Sequence, residues 1–255
     1  MRIKIKNRTE IDKLRAANII VRDVLSLCGD LIKPGITTWD LEKASREYIE
    51  KVGAKSAFYK YQPAKTMQPY PAVLCTSKNE KVVHGIPSKK EVLEEGDILS
   101  IDFGVIKNGY CGDAARTFAV GNISETARNL MTTTKASLEA AIKKMLHGNR
   151  LSDIGHAVQT VVENDGFNVI RDFVGHGIGQ DMHEPPQVPN FGRPGRGLKL
   201  QNGLVLAIEP MVTEGDWQVD IREDGWTVVT KDRKLACHFE HSVAITEEGP
   251  FVLSA

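Results

Sequence analysis

The chain repeats its own pattern. Gly35, Asp40 and Gly53 are spaced by five and thirteen residues, and Gly148, Asp153 and Gly166 repeat those intervals. Each Asp–Gly interval holds a helix-like segment, Leu41 to Val52 and Ile154 to Asp165. A His-Gly-Ile then follows in both halves, as His84-Gly85-Ile86 and His176-Gly177-Ile178. Gly96 leads through an apolar run to Asp102, six residues on, as Gly203 leads to Glu209. Five matches in the same order restrict the fold strongly. They predict a pseudo-two-fold α/β domain with units over about 35–120 and 148–246, whose related strands carry Asp102 and Glu209 to one centre. A generic α/β alternation is the competing reading.

The strands end in the wrong kind of residue for a core. Asp102 closes the run from Asp97, Glu209 closes Gly203–Ile208, and Glu240 sits within Cys237–Ala244. Carboxylates are rarely buried unless paired or bound to a cation. With Asp113 and His176 they make a set of four carboxylates and one imidazole. That is too much negative charge for one ion, and it suits two divalent metals sharing bridging carboxylates.

Length and composition allow such a core. A chain of 255 residues, 41% hydrophobic and 26% charged, fits a soluble globular protein, and the duplication favours one domain over 1–255. Lys+Arg and Asp+Glu both total 33. A zero balance argues against nucleic-acid binding through bulk charge, leaving only a local basic segment at Arg193, Arg196 and Lys199. Met1 to Arg8 has no apolar core of a signal peptide, and no apolar run approaches a membrane span. Cys28, Cys75, Cys111 and Cys237 form no CxxC pair, so reduced thiols in the cytoplasm are expected.

Helices are predicted from Thr9 to near Gly29, from Thr37 or Thr38 to Gly53, from Ser124 to about His147, and from Ser152 to Gly166. Strands are expected near 71–77, 97–106, 109–120, 168–174, 204–213, 226–230 and 236–246. Lys107-Asn108-Gly109 is a hairpin signal that sets Asp102 and Asp113 on adjacent antiparallel strands. The Pro- and Gly-rich stretch 183–202 reads as an ordered loop.

Six fragments now stand in order: Val83-His84-Gly85-Ile86-Pro87, Ile101-Asp102-Phe103-Gly104 through Gly112-Asp113, Gly175-His176-Gly177-Ile178-Gly179, His183-Glu184-Pro185-Pro186, Ile208-Glu209-Pro210-Met211 and Phe239-Glu240-His241. Together they resemble the methionine aminopeptidases, most closely the type I branch, over nearly the whole chain. The resemblance implies a pita-bread fold, with a curved, mainly antiparallel sheet covered by helices. It implies two divalent ions, bridged by Asp113 and Glu240, one also bound by Asp102 and the other by His176 and Glu209. A hydroxide between them would attack the scissile carbonyl, with Glu209 shuttling a proton. His84 would meet the scissile amide nitrogen, and His183 the carbonyl oxygen as charge develops on it. Tyr70, Cys75, His84, Met182 and Trp226 would line the methionine pocket. Met182 departs from the Phe common at that position, and 64–67 departs from the family pattern.

The implied activity is removal of the initiator methionine from nascent chains, with a preference for small second residues. The ions would be Co, Mn, Fe, Zn or Ni. A monomer is expected, with the ribosome as a plausible partner and no membrane. His183 and Glu209 are 26 residues apart, too close for the type II helical insertion. No zinc-binding N-terminal extension is expected, so a compact bacterial-like form fits. Two alternatives remain. A proline dipeptidase or X-Pro aminopeptidase would use the same ligands but needs an extra N-terminal domain. A non-catalytic pita-bread binding protein would be expected to have lost ligands. A mononuclear hydrolase would not explain the duplication.

Overall fold

In the computed structural model residues 3–255 are described. The first half runs α1 (Arg8–Leu31), α2 (Thr38–Lys51), β1 (Lys55–Ser56), β2 (Leu74–Lys78), β3 (Lys81–Val83), β4 (Ile98–Lys107) and β5 (Tyr110–Ala119). The second again places two helices before its strands. These are α3 (Glu125–Ile142), α4 (Leu151–Asn164), β6 (Asn168–Val169), β7 (Gly175–Gly177), β8 (Glu184–Val188), β9 (Val205–Ile208), β10 (Met211–Thr213), β11 (Val219–Ile221), β12 (Val228–Thr230), β13 (Ala236–His238), β14 (His241–Thr246) and β15 (Gly249–Val252).

The repeated residues do the same physical work twice. Gly35 and Gly148 both turn the chain into a helix at φ +95°, a conformation costly for any side chain. Asp40 accepts the Thr37 N–H at 2.8 Å, and Asp153 accepts the Arg150 N–H at 2.8 Å. Each carboxylate thus closes the first turn of its helix. Arg150, not Ser152, is the N-cap of α4, and Asn7, not Thr9, is that of α1, with Glu10 accepting the Asn7 N–H. Helix α3 has the expected Ser124 cap but stops at Ile142, short of His147.

The strand pairings are antiparallel. Strand β4 takes β5 along its whole length, and on its other edge β2 and then β1. In the second half β9 pairs with β14 and β10 with β13. The partners Ile208↔His241 and Met211↔His238 keep one register across the gap between these two ladders. Glu209-Pro210 and Phe239-Glu240 occupy the gap, where proline has no N–H to give a ladder. The expected strand over 168–174 shrinks to two residues, and β1, β3, β7, β8, β11 and β15 were not foreseen. All six are short.

The helices of each half pack mainly over strands of that half, while β3 of the first half pairs with β12 of the second and Leu14 of α1 reaches Val205 and Ala244. One core gathers Val21, Leu25, Leu41, Leu74, Leu99 and Phe103, and another Leu130, Leu138, Ile154, Leu206, Val212 and Val243. The halves join where Glu240 N–H donates to the Ala115 carbonyl at 2.9 Å and Ser242 Oγ to the Asp113 carbonyl at 2.8 Å. Among the described residues no helix is long and apolar enough to cross a membrane.

Candidate metal centre and active site

A cavity of about 350 Å³ opens over this seam. Asp102, Asp113, His176, Glu209 and Glu240 all line it. One ligand atom each from Asp113, His176 and Glu240 lies within 4.8 Å of the others. His176 Nε2 is 3.6 Å from Asp113 Oδ2 and 3.6 Å from Glu209 Oε1. Asp102 and Asp113 share a face but are diagonal rather than opposite: Asp102 pairs with Ala115, and Asp113 with Gly104.

The donors fit a cation. Asp102 Oδ1, Asp113 Oδ1 and Glu240 Oε1 are buried with no hydrogen-bond partner. Leaving such oxygens unmet costs about 1–3 kcal/mol each, more when they are charged. Without positive charge, burial pushes the Asp102 carboxyl up to about 7. Burial, followed by repulsion from neighbouring carboxylates, raises Asp113, Glu209 and Glu240 well above the ordinary range. His176 Nδ1 lies 2.9 Å from the Gly177 carbonyl, an acceptor only, so Nδ1 carries the proton and Nε2 keeps a free lone pair. Burial, and then His183, lower its pKa to about 3, so the ring is neutral and ready to ligate.

The histidines outside the cluster sit at different depths. His84 lies just past β3 at φ +59°. Gly85 beside it packs so closely on β2 that a Cβ would come within 2.1 Å of the Thr76 carbonyl oxygen. Burial, and then His183, hold the His84 pKa down to about 4, so a neutral imidazole faces the cavity. Its ring meets Trp226 and Phe173 edge-on, with centroids 6.2 and 5.7 Å apart. His183 stands at the open rim, 4.4 Å from the His176 ring.

The remaining wall is largely apolar. Tyr70, Cys75 and Trp226 line it, with Phe58, Met67 and Phe173. Tyr70 and Trp226 meet edge to face at 5.1 Å, and Trp226 Nε1 donates to the Gln68 carbonyl at 2.9 Å. Met182 is not on this wall. It is buried with Leu14, Cys111 and Ile178, and a Cβ on Gly104 would come within 2.5 Å of its methyl. The glycine opposite Asp113 leaves a hole that a flexible thioether fills. Cys111 is likewise a packing residue, its thiol pushed up to about 12, mainly by burial.

Beside Phe58 and Met67 on the wall, three further contributors escaped sequence reasoning. Tyr61 Oη lies 2.8 Å from His183 Nδ1 and comes from a segment without periodicity. Phe173 had no signal beyond standing three residues before His176. His238 had one: it lies two residues before Glu240, and alternation puts such residues on one face. Its Nε2 is buried, unpartnered and 3.7 Å from Glu209 Oε2.

Residues 12–247 match metallopeptidase family M24. A methionine aminopeptidase of Clostridium acetobutylicum is 52% identical, covering 99% of this chain and 98% of that protein. The crystal structure of a methionine aminopeptidase from Thermotoga maritima superposes with a TM-score of 0.95 at 47% identity, covering 99% of both chains. A prolidase from Pyrococcus furiosus shares the fold alone, with a TM-score of 0.78 at 21% identity, and the match covers 98% of this chain but 65% of that one. The pita-bread fold, the metal-fitting donor set and the full-length likeness agree, and the chain belongs to metallopeptidase family M24, among its methionine aminopeptidases.

Proposed function

We propose that the protein hydrolyses the N-terminal methionine from newly made polypeptides in the cytoplasm, acting as a monomeric catalytic domain over 1–255 that holds two divalent ions. The observation that carries this reading is the cluster of Asp113, His176 and Glu240 with unmet oxygens, at the floor of a cavity walled by Tyr70, Cys75 and Trp226. Asp102, Asp113, His176, Glu209 and Glu240 would hold the ions, with Asp113 and Glu240 placed between the other three donors. Ions of this charge polarise a carbonyl and bring the pKa of water towards neutrality. Mn, Fe, Co, Zn and Ni all suit such donors.

The protein's own groups do the rest. The apolar wall takes the methionine side chain, with Phe58 and Met67 adapting to it. Neutral His84 faces the scissile amide nitrogen and assists departure of the amine. His183 donates to the carbonyl oxygen as charge grows on it. The Glu209 carboxylate accepts the proton of the attacking water and returns it to the leaving amine. The residue after methionine lies between the carboxylate floor and the rim carrying His183, so small residues are preferred there. The ribosome, where such substrates emerge, is a natural partner.

The test is methionine release from Met-Ala-Ser, Met-Lys-Ser and Ala-Pro-Ser after chelation and stepwise return of Mn or Co. Metal-restored cleavage of Met-Ala-Ser alone supports the reading, and the titration counts the ions. Equal cleavage of Met-Lys-Ser removes the size preference. Cleavage of Ala-Pro-Ser instead moves the protein to proline-specific chemistry.

A further inference from the structure

Glu184 directly follows His183 and begins β8, yet it turns away from the cavity. Its carboxylate takes Lys6 Nζ at 2.7 Å, with both side chains almost fully buried, 4% exposed for Lys6 and 2% for Glu184. Lys4 Nζ approaches the other oxygen at 3.2 Å and Asp181 at 3.0 Å. Lys6 Nζ also donates to the Lys4 carbonyl at 3.1 Å, and the Lys6 N–H to the Gly203 carbonyl at 2.8 Å. The arm before α1 is thereby tied on one side to the turn entering β9, and on the other to the loop carrying His183. Opposite the arm, a Cβ on Gly179 would come within 2.4 Å of Glu184 Oε1. The carboxylate has no room to swing.

A buried ion pair is poor evidence of stabilisation, because an apolar pair of similar volume often does as well or better. Its distinctive property is direction. Lys6 can satisfy its charge here in one place, and that place sets where the residue after His183 must sit. Salt screens a pair withdrawn from solvent far less than an exposed one.

We infer that Lys6 and Glu184 are positioning residues, a buried clamp by which the N-terminal arm sets His183 over the substrate carbonyl. This rests on the role given to His183 above, and the test separates the two. The measurement is a kinetic cycle on manganese-loaded enzyme with Met-Ala-Ser, using Lys6→Met, His183→Ala and the double variant, each checked for folding by thermal melting. Lys6→Met is expected to lower kcat roughly ten- to hundredfold, since small misplacements of a reacting group cost that much. KM should shift less than about twofold, the signature of an interaction made in the transition state. In the His183→Ala background the same substitution should cost nothing further. Glu184→Gln, which keeps size but loses charge, takes the place of Lys6→Met if that variant does not fold. Wild-type kcat in the clamp variant, or an equal loss in both backgrounds, overturns the inference. Wild-type kcat in His183→Ala alone overturns the role of His183 first.

Discussion

The two halves share a scaffold but not a chemistry. In the first, Asp102 and Asp113 lie inside two unbroken ten-residue strands, β4 and β5. In the second, Glu209 and Glu240 stand in the gap between two short ladders that keep one register. Superposing the registers matches Asp102 with Glu209, but Asp113 with His238 and Glu240 with Ala115. His84 and His176 occupy the same His-Gly-Ile, yet only His176 falls within ligand distance of the carboxylates. Duplication supplies the architecture, and departures from the two-fold supply the site. The longer glutamate goes where the backbone has left the sheet, and the shorter aspartate where it has not.

The largest effect should come from moving the interruption. Phe103→Pro would put a proline inside β4 and empty a fully buried position, and is expected to abolish folding. Pro210→Ala, in the existing gap, should change stability by about 1 kcal/mol. Comparable melting temperatures for the two would break the contrast.

Next in size is the histidine pair. His176→Ala should lose bound metal and activity together. His84→Ala should keep metal while turnover falls by roughly a hundredfold or more. Metal content by atomic absorption, measured beside kcat, distinguishes them. Metal loss from His84→Ala would make the two motifs equivalent after all.

The seam should also respond to pH. Asp102, raised to about 7, and its raised neighbours favour the protonated form in the metal-free fold, whereas unfolded carboxylates titrate near 4. Their contribution is therefore fully present below the unfolded pKa and is lost as pH rises through the folded one. Metal-stripped protein should melt lower at pH 8 than at pH 5, and the gap to metal-loaded protein should widen. A flat apo profile would show that the carboxylates are already compensated. Smallest of all, Asp40→Ala and Asp153→Ala should each cost about 1 kcal/mol in thermal unfolding, and equally. Unequal losses would limit the two-fold to the sheet.

What could be read in advance follows from which residues have no substitute. Gly35 and Gly148 are required by backbone conformation, and Asp40 and Asp153 by orphan N–H groups, so the repeat was visible without a structure. The carboxylates were visible because their strands were otherwise apolar. Arg150 was missed because its cap is closed by a carboxylate three residues on. Met182 was misplaced because a gap opposite Asp113, invisible in one dimension, drew it inward. Tyr61 reaches His183 across 122 positions of chain, a contact no local pattern encodes.

The split of the candidate metal donors between halves has a mechanical consequence. Any ion held by both Asp113 and Glu240 closes a ring of chain that takes in α3, α4 and most of the second half. It acts as a reversible cross-link, removing freedom from the unfolded chain as a long loop closure does. The supply of metal to such a protein would then bear on its resistance to proteases as well as on its turnover.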